Sequence, residues 1–127
     1  MNLLAIAAGG ALGALLRYGV SNMLNGLTSS GLPWGTIGVN LSGSFLIGLL
    51  SGIFDRLMPP VHFKTFLLVG LIGAFTTFST YMIESFRLFQ EGRIGLAAAN
   101  LLLSNILGLG CVLAGFASVR LVFDILQ

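Results

Sequence analysis

Long stretches of this sequence carry no charged side chain and are long enough to cross a lipid bilayer. No Asp, Glu, Lys or Arg lies between Arg17 and Asp55, from Thr65 to Ile83, or from Ile94 to Val119. An uncharged apolar run of about 18 or more residues spans the hydrocarbon core as a helix, which satisfies its own backbone polar groups there. A soluble helix of that length keeps a wet face; none of these runs has one. Leu3 to Leu24 is also apolar, apart from Arg17 and a few small or amide residues. Charged residues make up 8% of the 127-residue chain, against about 25% in soluble domains. That is too few to coat a globule.

The sequence therefore reads as an all-α membrane protein, one transmembrane domain over residues 1–127 with helices over about 2–25, 35–56, 63–90 and 94–126. Breaker residues mark the joints at Gly26 to Pro33, Met58-Pro59-Pro60 and Glu91-Gly92-Arg93. A cleaved signal peptide accounts less well for the N-terminus, because Met1-Asn2 brings no basic side chain and the apolar run is long. The net charge of +2 is scattered rather than patched, so no nucleic-acid partner is expected. Cys111 and His62 each stand alone of their kind, which leaves no intrachain disulfide or thiol metal site. No nucleophile triad, metal cluster or phosphate loop is present, and the loops are too short for a catalytic domain. Function must lie among the helices.

Small residues recur every fourth position: Ala5, Gly9 and Gly13; Ser44, Gly48 and Gly52; Gly110, Ala114 and Ser118. Such ladders let helix backbones approach closely in lipid. Four spans put Arg56, Lys64 and Arg120 at one end, and Arg87 and Arg93 at the other with Arg17 in the nearer half of helix 1. Lys/Arg asymmetry sets orientation, and here the count is nearly balanced. A chain without bias can insert both ways and pair as an inverted, antiparallel dimer, the symmetry on which transporter folds build midplane sites.

Polar residues inside a membrane are costly and hence functional candidates. Asn40 lies mid-helix 2, and Asn100, Ser104 and Asn105 lie in helix 4. The richest stretch is Gly70 to Tyr81 in helix 3, where glycines precede a run of hydroxyls. Glycine and Ser/Thr loosen a helix, which predicts a break around Gly73 to Thr77; the plainer alternative is a bent helix with back-bonded hydroxyls. Unwound carbonyls at that depth suit a small cation. Phe78 and Tyr81 share a face, where packing competes with an anion path along positive ring edges. Glu84 and Arg17 are embedded charges, and each could equally snorkel to an interface.

Three segments, GGALGALLRY (Gly9 to Tyr18), GTIGVNLSGSFLIG (Gly35 to Gly48) and GAFTTFSTY (Gly73 to Tyr81), resemble the signatures of the Fluc, or CrcB, fluoride channel family. The resemblance covers the whole chain in length, span count and motif order. It implies an antiparallel homodimer in the plasma membrane of a prokaryote (the inner membrane in a Gram-negative cell), with two fluoride paths and a buried structural sodium ion. It places the sodium on main-chain carbonyls of Gly73 and Thr76, the pore asparagine on Asn40 and the helix 1 arginine on Arg17. The path-lining aromatic rings fall on Phe78 and Tyr81, the helix 3 hydroxyls on Ser79 and Thr80, and the acidic residue on Glu84. Asn105 and Thr36 fall on further polar pore positions.

Departures from the family pattern are Tyr81 in place of phenylalanine, and Leu101 and Leu109 where some relatives carry polar pore residues. They leave a heterodimer with an unlike subunit open. A proton-coupled multidrug exporter of similar size is the competing class, but it needs a carboxylate in helix 1, and helix 1 has none. A non-transporting membrane scaffold would leave the polar run of helix 3 unexplained.

Overall fold

The computed structural model describes residues 2–27 and 30–125. Helix α1 runs Asn2–Asn25 and α2 Trp34–Leu57. The third span begins with α3 (Val61–Lys64), continues as a π-helical segment (Thr65–Ile72) and ends its first part with α4 (Gly73–Phe75). It resumes as α5 (Phe78–Gln90), and α6 (Ile94–Ile125) is the fourth span. Four helical spans are long and apolar enough to cross a membrane, and the chain is a multi-pass membrane protein. The expected end of helix 4 at Leu126 lies outside the described residues.

The joints follow local chemistry. Helix α2 stops at Met58, which adopts the left-handed conformation (φ 44°, ψ 54°), and Pro59-Pro60 cannot continue the helix. Gly92 takes φ 73° in the turn between α5 and α6, a conformation glycine reaches without cost. At the start of α2 the Gly35 N–H donates to Asn25 Oδ1 at 2.7 Å. One of the helix's orphan donors is thereby satisfied across the loop.

Packing rests on two seams, α2 against α6 and α1 against the π-helical segment. A methyl group at Gly9 would collide with the Phe66 carbonyl oxygen, and one at Gly13 with the Leu71 carbonyl oxygen. In the other seam, Gly48 receives the Val112 backbone and Gly115 receives the Phe45 backbone. The first two ladders thus sit at helix contacts within the chain. The third does not. Gly110 and Ala114 are exposed, and Gly108, Gly115 and Val119 are the buried residues of that face. The helix 4 seam follows Gly108, Val112, Gly115 and Val119, and the ladder of Gly110 and Ala114 is turned away from α2.

Candidate functional site

Helical geometry is lost at Thr76 (φ −78°, ψ 157°) and Thr77 (φ −147°, ψ 118°), both extended, between α4 and α5. Extended backbone inside a membrane needs hydrogen-bond partners. Asn40 on α2 supplies them: its Nδ2 donates to the Thr77 carbonyl at 3.0 Å, and its Oδ1 accepts the Thr77 N–H at 2.8 Å. A peptide N–H only donates and a carbonyl only accepts, so this pairing fixes which end of the amide is which. The Thr77 side chain caps α5, accepting the Thr80 N–H at 3.3 Å and donating to Thr80 Oγ1 at 2.9 Å. The Thr77 N–H would have been the helical partner of the Gly73 carbonyl, and it is turned to Asn40 instead.

The sequence candidates fall into linked groups. Asn40, Gly73, Thr76, Phe78, Tyr81 and Asn105 all line one cavity of about 330 Å³. Arg17, Thr36 and Thr80 line a second, of about 200 Å³, on the other side of Thr77. Glu84 lines a third, with Arg87 and Arg93, near the start of α2. Thr36 joins the second and third by donating from Oγ1 to Glu84 Oε1 at 2.9 Å, while Glu84 Oε2 is buried and has no hydrogen-bond partner among the described residues. Ser79 is exposed and lines none of these three.

On the α6 side, Asn105 Nδ2 lies 2.7 Å from both the Tyr81 hydroxyl and the Leu101 carbonyl. Phe78 and Tyr81 meet edge-on, their ring centroids 5.7 Å apart at 64°. Phe78 is 72% exposed and Tyr81 only 4%. Behind Tyr81 runs a buried chain: Asn100 Nδ2 donates to Ser85 Oγ at 2.9 Å, and Ser85 Oγ donates to the Tyr81 carbonyl at 2.9 Å. The sequence marks Asn100 as a polar candidate and Thr77 as the edge of the expected break without giving either a partner, and it does not single out Ser85. Asn100 was visible as an amide in an apolar run, but its partner fifteen residues away needed the α5–α6 turn to be known.

A family model described as CrcB-like protein, Camphor Resistance (CrcB), matches residues 4–116. The chain belongs to the CrcB family. Similar to this CrcB chain is the fluoride-specific ion channel FluC of Magnetococcus marinus, 47% identical over 91% of this chain and 93% of the relative. FluC 1 of Nitrobacter hamburgensis is 42% identical over 93% and 94%, and FluC of Maridesulfovibrio salexigens 43% identical over 94% and 95%. These relatives are named as ion channels, and a CrcB chain is not an enzyme.

Proposed function

We propose that the chain is a fluoride channel that lets the ion leave the cell passively and so protects it from fluoride. The names of its relatives support the substrate. The single observation in the chain that carries the reading is the cavity beside the interrupted third span, with an amide, a hydroxyl and ring edges around it. Fluoride is small and strongly hydrated, so a path must replace water with donors. Amide N–H, hydroxyl and ring-edge hydrogens do this without a full charge that would hold the ion too long. Asn40, Phe78, Tyr81, Ser79, Thr80, Asn105 and Thr36 are the proposed path residues, with Arg17 and Glu84 at the vestibules.

The working unit in this reading is an antiparallel homodimer in a prokaryotic plasma membrane, with two paths and a structural sodium ion between the subunits. The carbonyls of Gly73 and Thr76 would hold that sodium. They fit as hard oxygen donors, and the Gly73 carbonyl is without its helical donor because the Thr77 N–H faces Asn40. Bound there, sodium supplies fixed positive charge at the midplane. Asn40 orients the extended backbone that presents these oxygens.

The test is fluoride efflux from liposomes that contain only the purified chain. Fluoride release that outpaces chloride release by orders of magnitude is the expected result. Equal leakage of both, or release of neither, would reject the channel reading, and activity only after adding a second subunit would replace the homodimer by a heterodimer.

A further inference from the structure

Tyr81 and Asn105 both line the cavity beside the interrupted third span, and their hydrogen bonds assign them different parts. The Leu101 carbonyl can only accept, so the amide end lying 2.7 Å from it is the NH2 group of Asn105. The same nitrogen lies 2.7 Å from the Tyr81 hydroxyl oxygen. Its two hydrogens are therefore both committed to the chain. What Asn105 has left is Oδ1, an acceptor, which has the wrong polarity for an anion.

The phenolic proton stands differently. Its acceptor is again the Leu101 carbonyl, at 3.4 Å, when about 2.7–2.8 Å is usual for O–H···O. That carbonyl has two lone pairs. The helical N–H of the next turn takes one, and the Asn105 amide takes the other. The tyrosine O–H is a surplus third donor, held weakly. Meanwhile Asn105 donates into the phenol oxygen, which strengthens the O–H as a donor. The ring itself is 4% exposed and packs edge-on against Phe78, and the Ser85–Asn100 chain holds the backbone carbonyl of the same residue.

From this geometry we infer that the Tyr81 hydroxyl is the movable proton donor to the ion in this cavity, and that Asn105 is a positioning residue that acts through Tyr81. The inference rests on the fluoride-channel reading above. It makes position 81 a specificity determinant of this chain, because a small, charge-dense anion gains more from a short O–H contact than chloride does.

The test uses the full chain in liposomes. Tyr81→Phe keeps the ring and removes the hydroxyl, and is expected to lower fluoride efflux at low fluoride roughly tenfold, the size of one hydrogen bond to an ion. Asn105→Leu should give a similar loss, and the double variant no further loss. A further tenfold drop on adding Asn105→Leu to Tyr81→Phe would show that Asn105 meets the ion itself, and overturn the inference. So would unchanged efflux and selectivity in Tyr81→Phe.

A second measurement needs no altered protein to conduct. With carbon-13 at the tyrosine Cζ, the chain gives signals from Tyr18 and Tyr81, and Tyr81→Phe identifies which is which. The Tyr81 signal should move on adding fluoride and stay put with chloride. A conducting protein whose Tyr81 signal ignores fluoride rejects this inference alone, whereas an unaltered chain that passes no fluoride rejects the channel reading and the inference with it.

Discussion

Asn40 and Thr77, 37 residues apart in sequence, pair as an amide pairs with a peptide group, through two hydrogen bonds of 3.0 and 2.8 Å. This contact decides how the third span can be interrupted inside a membrane. The extended residue keeps both of its backbone groups satisfied, and it does so on a side chain from another helix. One N–H of Asn40 remains for anything else in the cavity.

Asn40→Asp tests that contact. The variant still accepts the Thr77 N–H, but it sets a carboxylate oxygen against the Thr77 carbonyl where a donor stood. The cost is about 1–3 kcal/mol for the unsatisfied groups, read as a lower unfolding temperature in detergent. Fluoride efflux should be lost as well, because the interruption loses its anchor. A variant as stable and as conductive as the unaltered chain would remove Asn40 from both roles.

Much of this was legible beforehand, for reasons that differ by residue. Uncharged length marks a membrane span whatever it packs against, so the four spans could be read from the sequence. Proline and glycine punctuation placed the joints. The hydroxyl run pointed at Gly73 to Thr77, yet Gly73 to Phe75 remain helical and the extended residues are Thr76 and Thr77. Which residues leave the helix depends on what Asn40 can reach, a tertiary fact. The third small-residue ladder faces away from α2; four-residue spacing marks a face without saying which neighbour covers it. The π-helical turn of Thr65–Ile72 left no sequence mark that periodicity could detect.

The glycines of α1 make a matched pair of expectations. Gly9→Ala places a methyl group against the Phe66 carbonyl, where only backbone could move aside, whereas Gly10→Ala meets nothing within 4 Å in the chain. The first should cost on the order of 1–3 kcal/mol, as overpacking does, and lower expression of folded protein. The second should leave stability within about 1 kcal/mol. Thermal unfolding of both variants side by side checks the seam, and equal behaviour would mean that α1 does not pack on the π-helical segment through Gly9.

Thr36→Val keeps the shape of the side chain and removes the donor to Glu84. With Oε2 already unpartnered, the carboxyl group would have no hydrogen bond among the described residues. A destabilisation of about 1–3 kcal/mol is expected, and Thr36→Ser should restore it. If valine is tolerated as well as serine, the hydroxyl is not what holds Glu84 in place.

The proposed antiparallel dimer requires copies of the chain in both orientations, and the charges at its two ends make that expectation specific. Arg56, Lys64 and Arg120 lie at one end, and Arg17, Arg87 and Arg93 toward the other, an even division of the six Lys/Arg. Each end also holds an ion pair, Arg56–Asp124 at 3.7 Å and Arg93–Glu91 at 3.5 Å. Only Lys and Arg steer insertion, so neither end is held back. With Cys111 replaced by alanine and a reporter at Gln90→Cys, an impermeant thiol reagent should label about half of the molecules in intact cells and the rest only after the membrane is opened. Adding Arg or Lys residues at one end should push the labelled share toward all or none and reduce fluoride efflux, because a chain with a single orientation lacks its inverted partner. Labelling of the unaltered design from one side only would rule out the antiparallel homodimer and require an unlike subunit of opposite orientation.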